Sequence, residues 1–303
     1  MPRNLVAGPT HEEDIIIFDN DNFLNKLRKF VQYGSEHVEV ISDFDMTFTR
    51  YKTNGVKGVS TYQLIQASVL SPERASYVKS LYERYHPIEI DPNVPLDLKE
   101  KHMQDWWEKS NDTLLQEGFL EANMVDYVFR STHYFRYGLP EFLNKCREKL
   151  TPITILSGGL GNLIDASLQQ ITPCHNINVI SNYIQFDVTG KSVCFRHPEV
   201  RANKSSFLVG RKVRRNVIVI GDLPSDVKMV EHVNYECCLK IGFLNDPKVY
   251  NMDNYREVFD VVILNDGDFT FINMLLSLIH KEKYELPTRS HLNPLFRELL
   301  LSI

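Results

Sequence analysis

The chain has 303 residues, 43% of them hydrophobic, enough for the core of one large domain or of one domain carrying an insertion, and incompatible with disorder as the dominant state. A net charge of −5 excludes the overall basic field of a general nucleic-acid binder, so an anionic substrate needs local positive charge or a metal. The five cysteines show no CxxC spacing, the N-terminus lacks a signal-peptide layout, and no stretch reaches the roughly 18 apolar residues of a membrane span; the expectation is a soluble cytoplasmic protein.

Taken in chain order, apolar runs rich in β-branched residues occur at 38–44 (VEVISDF), 152–156 (PITIL), 177–181 (INVIS), 216–222 (NVIVIGD), 238–243 (CLKIGF) and 260–264 (DVVIL). Runs apolar on both faces that alternate with helical patterns predict an α/β fold with a doubly wound, Rossmann-like parallel sheet. Between about Asn54 and Leu139 the rhythm breaks into helical segments. These are SPERASYVKSLYERY, with Ser71 as N-cap and Pro72 at the first helical position, then DLKEKHMQDWWEKSNDTLLQ and EANMVDYVFRSTHYF. The reading is an α/β core domain of residues 1–53 and 140–303 with a helical cap domain at 54–139. An insertion leaving the carboxyl end of a strand lies over the ligand site of such a sheet.

Core strands end in SDFDMT, SGGLGN and GDLPSD, and a doubly wound fold gathers such ends at one edge. Asp43, Asp45, Ser157 and Asp222 then converge. Any one strand-end aspartate is as readily a helix cap, but the whole set on separate strand ends points to a site. Clustered carboxylates repel one another unless a cation is present, and a hard ion such as Mg2+ accepts carboxylate, water and phosphate oxygens together. Residues i and i+2 of an extended segment project to the same side, so one of Asp43 and Asp45 can attack phosphorus while the other handles the leaving-group proton.

DFDMTFT, SGG, Lys204 in ANKSS and GDLPSD resemble, in order, the DxDxT, hydroxyl, lysine and GDxxxD motifs of the haloacid dehalogenase superfamily. Resemblance to its cytosolic 5'-nucleotidases of type III adds YHPIEIDP, HMQDWWEKS, SNYIQFD and KIGFLNDPKVYNMDNYREVFDVVI, covering most of residues 35–280; the N-terminal arm and the tail ELPTRSHLNPLFRELLLSI fall outside it. The resemblance implies a haloacid dehalogenase core with Asp43 as nucleophile and Asp45 as acid, then base. It implies Mg2+ held by the Asp43 side chain, the Asp45 carbonyl and Asp222, phosphoryl oxygens bound by Ser157 and the Gly158 amide, and Lys204 neutralising phosphate. The family's Ser-Ala-Gly is Ser157-Gly158-Gly159 here, which keeps the amide donor. Its GDSxGD is GDLPSD, where Leu223 lacks a hydroxyl and Pro224 an N–H, so the hydrogen bonding around the metal is expected to differ; Asp226 is retained near it.

The resemblance further assigns base recognition to Glu89, Trp107 and Ser110 in the cap, with Trp106 left to the core. Glu89 suits a base amino edge, and a tryptophan face suits the cationic ring of 7-methylguanine as well as a pyrimidine. CMP and 7-methyl-GMP are both expected substrates, because the clues from Trp107 and Ser110 point in different directions. A small-metabolite phosphatase and a catalytically silent nucleotide-binding protein are the alternatives. The expected partner is a nucleoside monophosphate, with no nucleic acid polymer, no membrane and a monomeric state. RKVRR (211–215) reads as a solvated surface cluster; His86, His102, His133 and His197 lack zinc spacing; Cys237 and Cys238 read as strand packing.

Overall fold

The computed structural model describes residues 14–53, 55–91, 93–124, 135–171, 175–197, 199–200 and 204–282. Strand β1 (Ile15–Ile17) is a short apolar edge not among the expected strands. Helix α1 (Asn20–Tyr33) starts where the Asp19 carboxylate accepts the Asn22 N–H, and it buries Phe23, Leu27, Phe30 and Val31 along one face. Strand β2 (Val38–Ser42) is buried along its whole length.

β3 (Lys52–Thr53) and β4 (Val56–Lys57) form a small antiparallel hairpin. Helix α2 (Thr61–Val69) begins at a reciprocal cap between Ser60 and Gln63. Helix α3 (Pro72–Ile90) has Pro72 at its first turn, but Ser71 caps nothing: its hydroxyl and N–H both donate to Glu117 Oε2 at 3.1 Å. The hydroxyl proton is directed at the Glu117 carboxylate, and its oxygen accepts no helix N–H. The helix also runs on through Pro87, beyond the expected end at 85, because a proline removes one N–H without forbidding the turn that follows. Helix α4 (Leu96–Glu117) stops at Gly118, whose φ of 69° is the left-handed stop that glycine permits. Most of the helix expected over EANMVDYVFRSTHYF falls in 125–134, outside the described residues.

The chain continues with α5 (Leu139–Glu148), β5 (Ile153–Leu160), α6 (Gly161–Gln169), β6 (Ile177–Asn182), the hairpin β7 (Ile184–Phe186) and β8 (Ser192–Phe195), and a 3-10 turn at Lys204–Leu208. It closes with β9 (Asn216–Gly221), a 3-10 turn at Pro224–Val230, β10 (Cys237–Leu244), α7 (Met252–Arg256), β11 (Val261–Leu264) and α8 (Thr270–Ile279). The seven-stranded sheet has the order β1-β11-β10-β9-β2-β5-β6, parallel except for β1. Alternate residues feed opposite layers: Val40, Ile218 and Ile220 join α1, α5 and α8 in one cluster, while Ile41, Val217 and Val219 join Leu208, Met229 and Val230 in another. That two-sided burial is why these strands read as continuous apolar runs. From β2 the chain turns first to β5 and β6, then to β9, β10 and β11 on the other side. β2 with its neighbours β5 and β9 is therefore the switch point, where strand ends splay apart and leave a crevice.

The helical insert is seated rather than suspended. Leu64, Ile65, Leu114 and Phe119 pack with Leu160, Leu163, Ile184 and Phe195, so α2 and the C-terminal half of α4 share a core with α6 and the β7–β8 hairpin. Leu81, Tyr85 and Met103, with Trp106, form a separate small cluster between α3 and α4. The basic run RKVRR is solvated only in part, Lys212 and Arg215 being exposed. Arg211 bonds the buried Glu39 at 3.0 Å and Arg214 bonds the carbonyls of Ser35 and Val38, because the amino edge of the sheet exposes acceptors that these cations satisfy.

Candidate active site

Three strand ends meet at the switch point. Asp43 follows β2, and its carboxylate accepts from Lys204 Nζ at 2.7 Å. Lys204, at the start of its 3-10 turn, also donates to Asp226 Oδ1 at 2.8 Å. Asp222 follows β9, within weak hydrogen-bond range of Thr47 and Asn245 at 3.4 Å each. Among the described residues, Asp43, Asp222 and Asp226 form a buried group whose ligand oxygens lie within 4.8 Å of one another.

One ammonium does not balance three buried carboxylates. Desolvation, then the charges of Asp226 and Asp43, push the Asp222 carboxyl well above its usual range. Asp43 is raised as well, chiefly by burial, with Lys204 opposing. Burial works against the Lys204 ammonium, yet Asp226 and Asp43 overcome it and hold that group above its ordinary value. A cluster of hard oxygen donors two positive charges short fits a hard divalent cation. The carboxylate of Asp45 is not part of it, so only its backbone carbonyl is left for an ion.

Asp43 and Asp45 do not lie on one extended segment. β2 ends at Ser42, and Met46 adopts a left-handed φ of 60°, a conformation that costs a non-glycine residue about 1–2 kcal/mol. The turn is held from every side: Thr49 Oγ1 accepts the Met46 N–H at 2.8 Å, and the Met46 carbonyl accepts from Arg136 Nη2 and Asn245 Nδ2. The two carboxylates consequently find different partners. Asp45 Oδ1 accepts the Thr61 N–H at 3.0 Å and Oδ2 the Thr61 hydroxyl at 2.9 Å. Burial, with the charge of Asp43, raises the Asp45 carboxyl to about 7.

β5 runs four residues past its expected end, through Ser157-Gly158-Gly159 to Leu160, with an irregular register against β6. Ser181 Oγ bonds the carbonyls of Ser157 and Gly159, and Asn182 Nδ2 that of Gly158, which fixes the loop's amides in place. A Cβ on Gly159 would stand 2.4 Å from Thr61 Oγ1 and 2.8 Å from Asp45 Oδ2, so this close approach requires glycine. On Gly158 it would meet Trp107 Cη2 at 3.0 Å. Trp107 thus reaches from α4 down to the loop that carries Ser157, with Tyr62 beside it at a ring distance of 6.3 Å. Trp106 turns away and stacks on Tyr85, as expected of a core residue.

Ser110 is buried one turn after Trp107, and its neighbour Asn111 bonds Glu199 across to the core at 2.7 Å. Glu89, in the last turn of α3, is exposed by area, and desolvation raises its carboxyl against the pull of Lys99. Tyr250 lies within electrostatic reach of both Glu89 and Asp222.

The expected Asp43, Lys204 and Asp222 come together, and Trp107 meets the Gly158 loop. Two groups of residues were missed. Thr61 opens α2 after a Ser-x-x-Gln cap that was there to be read. Arg136, fully buried, bonds the carbonyls of Met46, Thr47 and Gly267 and the side chains of Asn245 and Asp266. Asp266 in turn accepts the N–H groups of Tyr51 and Lys52. Nothing in HYFRYG signals that role, because every partner is distant in sequence. The replaced Leu223-Pro224 costs little locally: Asp226 Oδ2 accepts the N–H groups of Asp222 and Leu223, and Pro224 opens the 3-10 turn.

A family model described as pyrimidine 5'-nucleotidase (UMPH-1) matches residues 46–280, well over half of the chain. The chain is 31% identical over 273 residues to the 7-methylguanosine phosphate-specific 5'-nucleotidase of Gallus gallus, covering 86% of this chain and 94% of that protein. It is 32% identical over 257 residues to that of Homo sapiens, covering 81% and 86%. A solved structure of cytosolic 5'-nucleotidase IIIB bound to cytidine aligns with a TM-score of 0.81 at 30% identity, over 89% of this chain and 95% of that one. A HAD-family hydrolase from Salmonella enterica shares the fold, with a TM-score of 0.55 at 18% identity over 86% of this chain and 81% of that one. By sequence, fold and the arrangement of its strand ends, the chain belongs to the pyrimidine 5'-nucleotidase family, on the haloacid dehalogenase fold.

Proposed function

We propose that the protein is a Mg2+-dependent 5'-nucleotidase that hydrolyses nucleoside 5'-monophosphates, CMP and 7-methyl-GMP among them, through an aspartyl phosphate. The observation that carries this reading is the separation of the two aspartates: Asp43 joined to Lys204 within the acidic cluster, Asp45 apart from it with a carboxyl near neutrality. Asp43, Asp222 and the Asp45 carbonyl would hold Mg2+, which supplies the positive charge that lets a carboxylate approach a phosphate.

Asp43 attacks phosphorus and the bond to the 5' oxygen breaks, that oxygen taking the proton of Asp45 as the nucleoside leaves. Asp45, now a carboxylate, removes a proton from water, whose oxygen attacks the phosphoryl group and frees Asp43 with inorganic phosphate. Ser157, the Gly158 amide and Lys204 hold the phosphoryl oxygens, while Glu89, Trp107 and Ser110 receive the base. A carboxyl near 7 suits both halves of this cycle, since it gives and regains a proton at neutral pH.

A cytoplasmic, monomeric protein with neither nucleic acid nor membrane partners completes the proposal. It is supported by the cytosolic 5'-nucleotidases among the similar proteins, by four free cysteines among the described residues, and by the lack of any described helix long and apolar enough to cross a membrane. Phosphate release from CMP and 7-methyl-GMP, by wild type and Asp43→Asn in Mg2+ or EDTA, is the test. Wild-type turnover in Mg2+, lost in EDTA and in the variant, is expected. Undiminished turnover by Asp43→Asn, or none by wild type with any nucleotide, removes the reading.

A further inference from the structure

We propose that Thr61 is the positioning residue of Asp45: the first residue of α2 orients the acid, and does so only while the insert is seated on the end of β5. This rests on the reading of Asp45 as the group that protonates the leaving oxygen.

Thr61 is fully buried and bonds Asp45 twice, through its N–H at 3.0 Å and its hydroxyl at 2.9 Å. The same hydroxyl oxygen accepts the Leu160 N–H at 2.9 Å. A hydroxyl has one proton to give. With its oxygen occupied by Leu160, that proton is directed at Asp45 Oδ2. Two donors on two oxygens fix the plane of the carboxyl, where one would leave it free to turn about the bond to its β-carbon. Gly159, without a side chain, leaves the space in which Thr61, Asp45 and Ser157 approach each other.

Helix capping does not account for these bonds. Ser60 already caps α2 with Gln63, so the Thr61 N–H is one of the amides a helix start leaves without an internal partner. It is used on an aspartate sixteen residues earlier in the chain. The Leu160 N–H lies in β5, three residues past Ser157. One hydroxyl therefore joins the insert, the acid and the strand that ends in the phosphate loop.

An acid held out of line hurts a poor leaving group and spares a good one. A nucleoside alkoxide must be protonated as its bond to phosphorus breaks; p-nitrophenolate departs without a proton. The measurement is kcat/KM in Mg2+ for CMP and p-nitrophenyl phosphate with wild type, Thr61→Val, Thr61→Ser and Asp45→Asn, which reports events up to release of the first product. Thr61→Val keeps the shape and loses the hydroxyl. It should lose about tenfold or more with CMP and less than about threefold with p-nitrophenyl phosphate, a part of the 10²–10⁴-fold that acid catalysis typically supplies. Thr61→Ser should stay near wild type with both, and the rise in Tm that Mg2+ gives should be unchanged in Thr61→Val.

Equal losses with the two substrates, no rescue by Thr61→Ser, or a diminished Mg2+ effect on Tm would each overturn the proposal, because Thr61 would then support the fold or the acidic cluster. The underlying reading fails separately: Asp45→Asn losing both substrates alike removes the acid role, whatever Thr61→Val does.

Discussion

Asp226 holds Lys204 with one carboxylate oxygen, at 2.8 Å, and the N–H groups of Asp222 and Leu223 with the other. Lys204 is thereby held between Asp226 and Asp43, to which it donates at 2.7 Å. Replacing it with Met leaves three buried carboxyls and no cation. Breaking a buried ion pair costs about 3–5 kcal/mol, and Lys204→Met should lose that much stability in EDTA at pH 8, read by urea denaturation. At pH 5 the carboxyls can protonate instead and the loss should shrink, so an equal loss at both pH values would show that charge balance is not what Lys204 supplies.

Asp45 must be protonated when the nucleotide bond breaks. Its carboxyl sits near 7, so its protonated fraction is high below that pH and falls about tenfold per unit above it. kcat/KM for CMP should decline on the alkaline side, with the midpoint at or below about 7 because a bound cation offsets the charge of Asp43. A stopped assay across pH 5.5 to 9 checks this, and the decline should be absent in the residual activity of Asp45→Asn.

Removing the metal should make stability depend on pH. Asp43, Asp45 and Asp222 all have carboxyls raised above the ordinary 3.8. Between that value and about 7 for Asp45, the folded protein binds more protons than the unfolded chain, and stability falls as pH rises. In EDTA, Tm should be higher at pH 5.5 than at pH 8. Mg2+ at a hundred times its Kd adds about 2.7 kcal/mol and should flatten that slope; a Tm that rises with pH in EDTA contradicts the picture.

The paired glycines should behave differently. A methyl at Gly159 intrudes on Thr61 and Asp45, and Gly159→Ala should lower kcat by tenfold or more, since a misplacement near 1 Å can cost about 10² in rate. At Gly158 the methyl presses on the Trp107 ring instead. Gly158→Ala should raise KM for CMP and largely spare kcat. Steady-state kinetics of both variants decide it, and reversed effects would mean that the two contacts have been assigned to the wrong steps.

The sequence discloses most of the core because a strand buried on both faces leaves a run of apolar residues, as at Val217–Ile220. It also discloses Asp43, Ser157 and Asp222, since each ends such a run. β1 is too short for any pattern, and β5 continues through glycines that carry no strand preference. The diverging side chains of Asp43 and Asp45 were hidden because Met46 turns left-handed under bonds from Thr49, Arg136 and Asn245, two of which lie ninety or more residues away. Long-range partners of this kind write no local pattern: nothing near Arg136 or Asp266 signals their bonds, and the Ser-x-x-Gln start of α2 marks the place of Thr61 without disclosing its bond to Asp45.

The carboxyl of Asp45 is contributed by the turn that follows β2 and its hydrogen-bond donors by the insert. Transplanting an insert between relatives to alter which base is accepted would therefore replace part of the proton-delivery apparatus as well. Such a graft would have to preserve the opening of α2 along with the residues facing the base, or it would bind a new nucleotide and fail to cleave it.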